Sequence, residues 1–234
     1  GQYSVTSGGQ KYTLMEEATG PGCGYCPDGA QDIEQSIEPI TSLRAFVASW
    51  HGATYDATNM VAAGDPYCAG TGYITGFPMG SVDRTPFGGS VGKSRPWESY
   101  VSTRSTQTPN FDVSMKCTYN PTTKLLTVIV TGKALSAQTG TWNVNALLIE
   151  DSISSATGSF QQHSYLTSNA TACNGQPNWF YGLGSILPAA SYSHMNVVRK
   201  VLGPSIWGDA AFTNPAVNAT FSKTYTLTVD TTLY

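Results

Sequence analysis

The 234-residue sequence predicts an α/β domain over residues 1–108, followed by an all-β, immunoglobulin-like β-sandwich domain over residues 109–234. Three observations lead there. Strand and helix signals alternate up to about Thr108. Past it, apolar residues recur with a period of two. Between a strand pattern and a helix pattern stands Cys23-Gly24-Tyr25-Cys26, the setting of a redox dithiol.

Lys11 to Thr19 reads as a strand, with Tyr12, Leu14 and Met15 as its apolar residues. Gly20, Pro21, Gly22 and Gly24 supply a loop. From Pro27 onward Ala30, Ile33 and Ile37 recur at helical spacing, and Pro39 ends the pattern. Leu43 to Trp50 is a compact apolar run suited to a buried parallel strand. Residues 51–76 are rich in Gly, Asp, Asn and Thr, and predict a short helix near Ala57–Ala63 within a long loop. Pro78 precedes a short strand that reaches Arg84. Pro96 opens a helix carrying Trp97, Tyr100 and Val101.

In the second half, Phe111, Val113, Met115, Cys117 and Tyr119 alternate before the Asn120-Pro121 turn. Leu126, Val128 and Val130 follow, then Val144, Ala146 and Leu148. Near the end Phe221, Tyr225, Leu227 and Val229 do the same, with Lys223 as the exception. Such strands with turn-rich joins predict an antiparallel sandwich. Ser152 to Ser193 shows no clear period and reads as long loops with at most one strand.

A strand, a glycine-rich turn and a CxxC at a helix start form the thioredoxin arrangement. The nucleophile in disulfide exchange is a thiolate, and free N–H groups at a helix N-terminus stabilise negative charge. Cys23 is therefore read as the attacking residue and Cys26, one turn in, as the resolving one. Glu17, six residues before Cys23, is read as a buried acid that takes a proton from Cys26; Glu16 shares that candidacy. The two point to opposite faces of a strand, so one of them is expected to be exposed. Pro78 is read as the cis-proline that faces the dithiol in this arrangement, and Phe77 as presenting its backbone to an extended substrate. Tyr25 joins them on the substrate side. His51, at a strand end, is a further candidate for lowering the dithiol pKa. Against each stands a structural reading: a staple disulfide, a solvated glutamate, a strand-start proline, a hydrogen-bonded histidine. A zinc site would need more ligands, and Cys68, His51, His163 and His194 show no ligand spacing. No metal or cofactor is expected.

Apolar residues make up 40% and charged ones 12%, and the net charge is -3. Without a basic run, nothing suggests nucleic acid, and no apolar stretch approaches the ~20 residues of a membrane helix. The composition suits an exported β-rich protein, with a leader or lipid-anchor segment expected ahead of Gly1. Five cysteines are an odd count. Cys117 and Cys173 can form a structural disulfide if the chain is exported. Cys68 then remains as a buried thiol, a partner for a distal cysteine, or a participant in the redox cycle.

Several segments resemble the Omp28-related family of exported Bacteroidetes proteins. These are Leu14 to Gly20 leading into Cys23-Gly24-Tyr25-Cys26-Pro27, Val47 to His51, Gly76-Phe77-Pro78 with Val82-Asp83-Arg84, and His194-Met195-Asn196-Val197-Val198-Arg199. Ala18 and Tyr25 depart from the family's pattern. The resemblance implies a thioredoxin-like domain fused to a β-sandwich, attached to or released from the outer membrane. A lipid anchor or secretion fits this sequence better than a membrane barrel, because the serial ~10-residue alternating strands of a barrel are missing. Together these readings imply a thiol–disulfide oxidoreductase acting on exported proteins or a redox partner. The rival is a cell-surface binding or adhesion protein with a structural Cys23–Cys26 disulfide.

Overall fold

The computed structural model describes residues 1–56, 65–154, 160–188 and 192–230. The short helix expected near Ala57–Ala63 lies outside the described residues. In chain order the elements are β1 (Gln2–Thr6), β2 (Thr13–Thr19), α1 (Cys26–Asp32), β3 (Ala45–His51), α2 (Asp65–Gly70), β4 (Met79–Val82) and α3 (Glu98–Ser105). Then follow β5 (Phe111–Asn120), β6 (Leu125–Ala134), β7 (Thr141–Val144), β8 (Leu147–Glu150), β9 (Gln162–His163), β10 (Ile186–Leu187), β11 (Val197–Val201), β12 (Asp209–Thr213) and β13 (Thr220–Thr228). Among the described residues no helix is long and apolar enough to cross a membrane.

The chain forms two compact units. One comprises Tyr12–Thr106 and Ile149–Arg199; the other comprises Gly1–Lys11, Gln107–Leu148 and Lys200–Tyr234. The two units are interleaved along the chain rather than consecutive, because strand pairing brings distant segments back. The first strand, β1, pairs antiparallel with β5, with Tyr3 opposite Cys117. Late in the chain, β11 pairs parallel with β3 through Val197 and Ser49.

The cysteine-bearing unit is built on a sheet of order β4-β2-β3-β11-β8. Strand β2 runs parallel to β3, with Met15 opposite Val47, and antiparallel to β4, with Met15 opposite Val82. Helix α1 begins with Pro27 in its first turn, where a missing N–H costs nothing, and carries Asp28 there. It continues as a π turn over Ile33–Ile37, with the Glu38 N–H bonded to the Ile33 carbonyl at 3.0 Å. Ile33 and Ile37, one turn apart, meet Met15, Val47, Val82, Trp97 and Val101 in one core. On the other sheet face, Tyr67 of α2 stacks on Trp50 with ring centroids 5.2 Å apart. Cover on both faces explains why β2 and most of β3 are buried residue after residue.

The second unit holds an antiparallel sheet of order β1-β5-β6-β13 and the separate pair β7-β12. Most of the period-two residues face inward: Val128, Val130 and Tyr225 are buried with Ala146, and Met115, Cys117, Leu126 and Phe221 pack against them, while Val113 is left exposed. Trp142 of β7 and Phe212 of β12 close on Phe111, at ring distances of 4.9 and 5.7 Å.

Candidate active site at the Cys23–Cys26 disulfide

Cys23 and Cys26 are joined in a disulfide, with their Cα atoms 5.4 Å apart. A tight turn makes this possible: the Cys23 N–H bonds the Gly20 carbonyl at 3.0 Å and the Cys26 N–H bonds the Cys23 carbonyl at 3.1 Å. Cys26 is the first residue of α1, and Tyr25 occupies the N-cap without a side-chain cap bond. The sulfurs thus belong to the end of the helix that favours a thiolate.

Glu17 lies under α1. It is 2% exposed. Its Oε2 accepts a long bond from Ser49 Oγ at 3.4 Å, and among the described residues Oε1 has no hydrogen-bond partner. A Cβ built on Gly29 would fall 2.5 Å from Glu17 Oε1 and 3.1 Å from Pro78 Cβ. Gly29 is three residues after Cys26 and shares its helix face, so the acid and the proline both meet the face that carries Cys26. Burial pushes the Glu17 pKa up to about 8. The carboxyl holds a proton at neutral pH and can release or take one there. A cavity of about 20 Å³ beside it, with Glu17, Ser49, His51, Tyr192 and His194 among its lining residues, has room for a single water.

The Phe77–Pro78 bond is cis, and Pro78 is buried. The Phe77 ring meets the Tyr55 ring at 5.0 Å, and the Tyr55 carbonyl accepts the Gly22 N–H at 2.8 Å. The proline segment and the CxxC loop are therefore tied through one tyrosine. Tyr55, Phe77 and Cys68 line a groove of about 280 Å³.

Glu16 is on the opposite face from Glu17, yet it is fully buried too. Arg84 holds it through two bonds of 2.8 Å, and Trp50 Nε1 adds a third at 3.1 Å. The expectation that one glutamate is exposed is therefore corrected. Alternation separates them as expected, but α2 covers the second face.

His51 Nδ1 lies 2.8 Å from Asp56 Oδ2, and its ring meets the His194 ring at 5.2 Å. His194 Nε2 lies 3.1 Å from the Phe160 carbonyl; burial, with His51 beside it, holds its pKa down at about 4. The segment from His194 to Arg199 enters the sheet as β11: the Asn196 carbonyl accepts the Ser49 N–H at 2.7 Å, and Val197 and Val198 are fully buried. Arg199 pairs with Glu150.

The pairing of Cys117 with Cys173 is not formed, and neither residue is in a disulfide. Cys117 sits half-buried in β5, opposite Val128 of β6. Cys173, in the other unit, docks on α1, its N–H on Asp28 Oδ1 at 2.9 Å and its Sγ on the Asp28 carbonyl at 3.6 Å. Each is held by its own unit. Burial and Asp28 push the Cys173 thiol up to about 12. Cys68 lies on α2 with its Sγ 3.4 Å from the Trp50 carbonyl. Among the described residues no three His, Cys, Asp or Glu side chains gather to hold a metal ion.

Sequence reasoning missed the segment of residues 160–179, which packs on the loop and on α1. Gln31 Nε2 bonds the Pro177 carbonyl, and the Trp179 N–H bonds Gln31 Oε1. Asn174 reaches Gln35 and Ser36, and Arg95 pairs with Asp28. Tyr165 lies across Gly24 and meets the half-exposed Tyr25 ring at 5.5 Å. Cys23 is left 3% exposed and Cys26 has no exposed surface. No periodic signal announces this segment, because it is held by single bonds to loop carbonyls and to polar side chains of α1 and its π turn.

No protein-family model matches the chain, and no curated protein matches it in sequence. Among solved structures it is similar to HBP35 of Porphyromonas gingivalis, with a TM-score of 0.63 and 20% sequence identity. The likeness covers 94% of this chain and 65% of that one. The chain therefore has the HBP35-like fold, a mixed α/β sheet containing parallel strands together with antiparallel sheets.

Proposed function

We propose that this chain is a thioredoxin-like thiol–disulfide exchange protein working through Cys23 and Cys26. The observation that carries the reading is the position of the disulfide. It opens α1 on the helix face that meets buried Glu17 and cis Pro78. In the reduced form the Cys23 thiolate attacks a client disulfide. A Cys23–client bond forms, and one client sulfur leaves as a thiolate that takes a proton from water. Glu17, as carboxylate, then takes the proton of Cys26. The Cys26 thiolate attacks Cys23 Sγ, the Cys23–Cys26 bond closes, and the second client thiolate leaves. Two electrons pass from the dithiol to the client, and the same steps run in reverse oxidise one. Phe77, Pro78 and Tyr25 form the client side of the site.

Low charge and a disulfide support an exported setting at the periplasm, outer membrane or cell surface, with exported proteins or a redox partner as clients. The Omp28-related resemblance points the same way. The unit of β1, β5, β6, β13 and the β7-β12 pair is read as an immunoglobulin-like β-sandwich for docking.

Burial of Cys23 favours a second reading, a binding protein in which the disulfide is a staple. Reduction of insulin by dithiothreitol separates the two. Acceleration by the wild type that vanishes in Cys23→Ser upholds exchange. No acceleration, with Cys23 slow to alkylate after mild reduction, rejects it.

A further inference from the structure

The rim of the CxxC loop is already occupied by the chain itself. The N–H groups of His163 and Tyr165 donate to the carbonyls of Pro21 and Gly24 at 2.7 and 2.8 Å. Between them the Ser164 N–H points the other way, to the Ser185 carbonyl at 2.9 Å. This alternation is that of an extended strand with one edge on the loop. The Gln162 side chain, 1% exposed, lies inward and donates to the carbonyls of Cys23 and Gly20 at 2.8 and 3.3 Å. The Tyr165 ring fills the space above Gly24, where any added Cβ would collide with it. The loop carbonyls flanking and including Cys23 are thus bonded by a segment more than 130 positions away in sequence.

We infer that residues 162–166 form a strap that lies along the CxxC loop as an extended polypeptide would, and that it gates access to Cys23. This rests on the exchange reading for its biological purpose, but its physical claim stands on its own. The disulfide is reached only when the strap lifts, and an extended client segment takes its place on the Pro21 and Gly24 carbonyls. The strap is anchored on its far edge by β10, where Ile186 pairs with His163 and Leu187 with Gln162. Lifting it breaks a few bonds on the loop side, so the opening is local rather than global.

The test uses the full chain and the double variant Gln162→Ala/Tyr165→Ala, which leaves both cysteines, Glu17 and Pro78 in place. The first readout is the rate at which excess dithiothreitol reduces Cys23–Cys26, followed by alkylation and mass. Loss of the two Gln162 bonds and the ring over Gly24 is expected to raise that rate by about tenfold or more. An unchanged rate overturns the strap. A second measurement needs no variant. In the wild type, at a pH where exchange of the His163 and Tyr165 amides is limited by opening itself, the reduction rate levels off with rising dithiothreitol at or below that exchange rate; reduction faster than it overturns the proposal. Insulin reduction is read alongside. Faster dithiothreitol reduction without insulin turnover upholds the gate while rejecting the exchange reading, so the two fail separately.

Discussion

Glu17 Oε1 occupies the space where a side chain on Gly29 would begin, with 2.5 Å between that oxygen and an ideal Cβ. The buried acid and the helix of the CxxC approach this closely because residue 29 has no side chain. Pro78 Cβ and the Trp97 ring, each 3.1 Å from the same point, leave no direction for relief.

Gly29→Ala should therefore destabilise the protein even though alanine is the better helix former. Overpacking against these three buried side chains costs about 1–3 kcal/mol, against a propensity gain of about 1 kcal/mol or less. Urea unfolding under oxidising conditions measures the difference. A variant as stable as wild type would contradict the packing described.

Glu17 makes stability depend on pH in a defined direction. The folded carboxyl keeps its proton up to about pH 8, whereas the unfolded one loses it near 4.5. Between those values the native state binds more protons, so this contribution is full at low pH and is lost as pH rises through the window. The slope is at most about 1.4 kcal/mol per pH unit. Wild type should lose roughly 2 kcal/mol between pH 6.5 and 8, and Glu17→Gln should be flat over that range by urea midpoints.

His194 acts in the opposite sense. Its imidazole is buried neutral, with a pKa near 4 against the ordinary 6.5. Here the native state binds fewer protons, so stability is full above pH 6.5 and is lost as pH falls toward 4. From about pH 4.5 to 6.5 the two contributions oppose each other. His194→Gln should expose the Glu17 slope, giving a protein that gains stability as pH is lowered from 6.5 to 4.5 relative to wild type.

Arg84 neutralises a carboxylate that has no exposed surface. Among the described residues Arg84→Ala leaves Glu16 with Trp50 and Ser81, and should cost about 3 kcal/mol. The double change Glu16→Gln/Arg84→Met should cost clearly less, since no charge is then stranded.

Thiol titration in denaturant checks the cysteine pairing. Without reductant, Cys68, Cys117 and Cys173 should react, three per chain; with reductant, all five. One reactive thiol without reductant would mean a second disulfide among these three and contradict the free thiols.

Much of the site was legible because its signals are local. The turn glycines, Pro27 at the helix start, and the 3.6 spacing of Ile33 and Ile37 act within a few residues, and α1 with its π turn follows them. The period-two runs became β5, β6 and β13 for the same reason. The alternation of Glu16 and Glu17 across β2 was equally legible, but their shared burial was not. Alternation says which face a side chain takes; only the packing of α2 says that both faces are covered.

What the sequence by itself determined is the immediate frame of the disulfide: two cysteines three apart on a loop before a helix, and a proline ahead of β4. What only the tertiary structure decided is who surrounds them. Residues 160–179 returned to the CxxC loop, Val197–Val201 became a sheet strand beside β3, and Gln2–Thr6 crossed to the other unit. The physical reason is common to all three. Hydrogen bonds between main-chain groups and the open edges of sheets carry almost no side-chain signature, so their partners cannot be read from residue types.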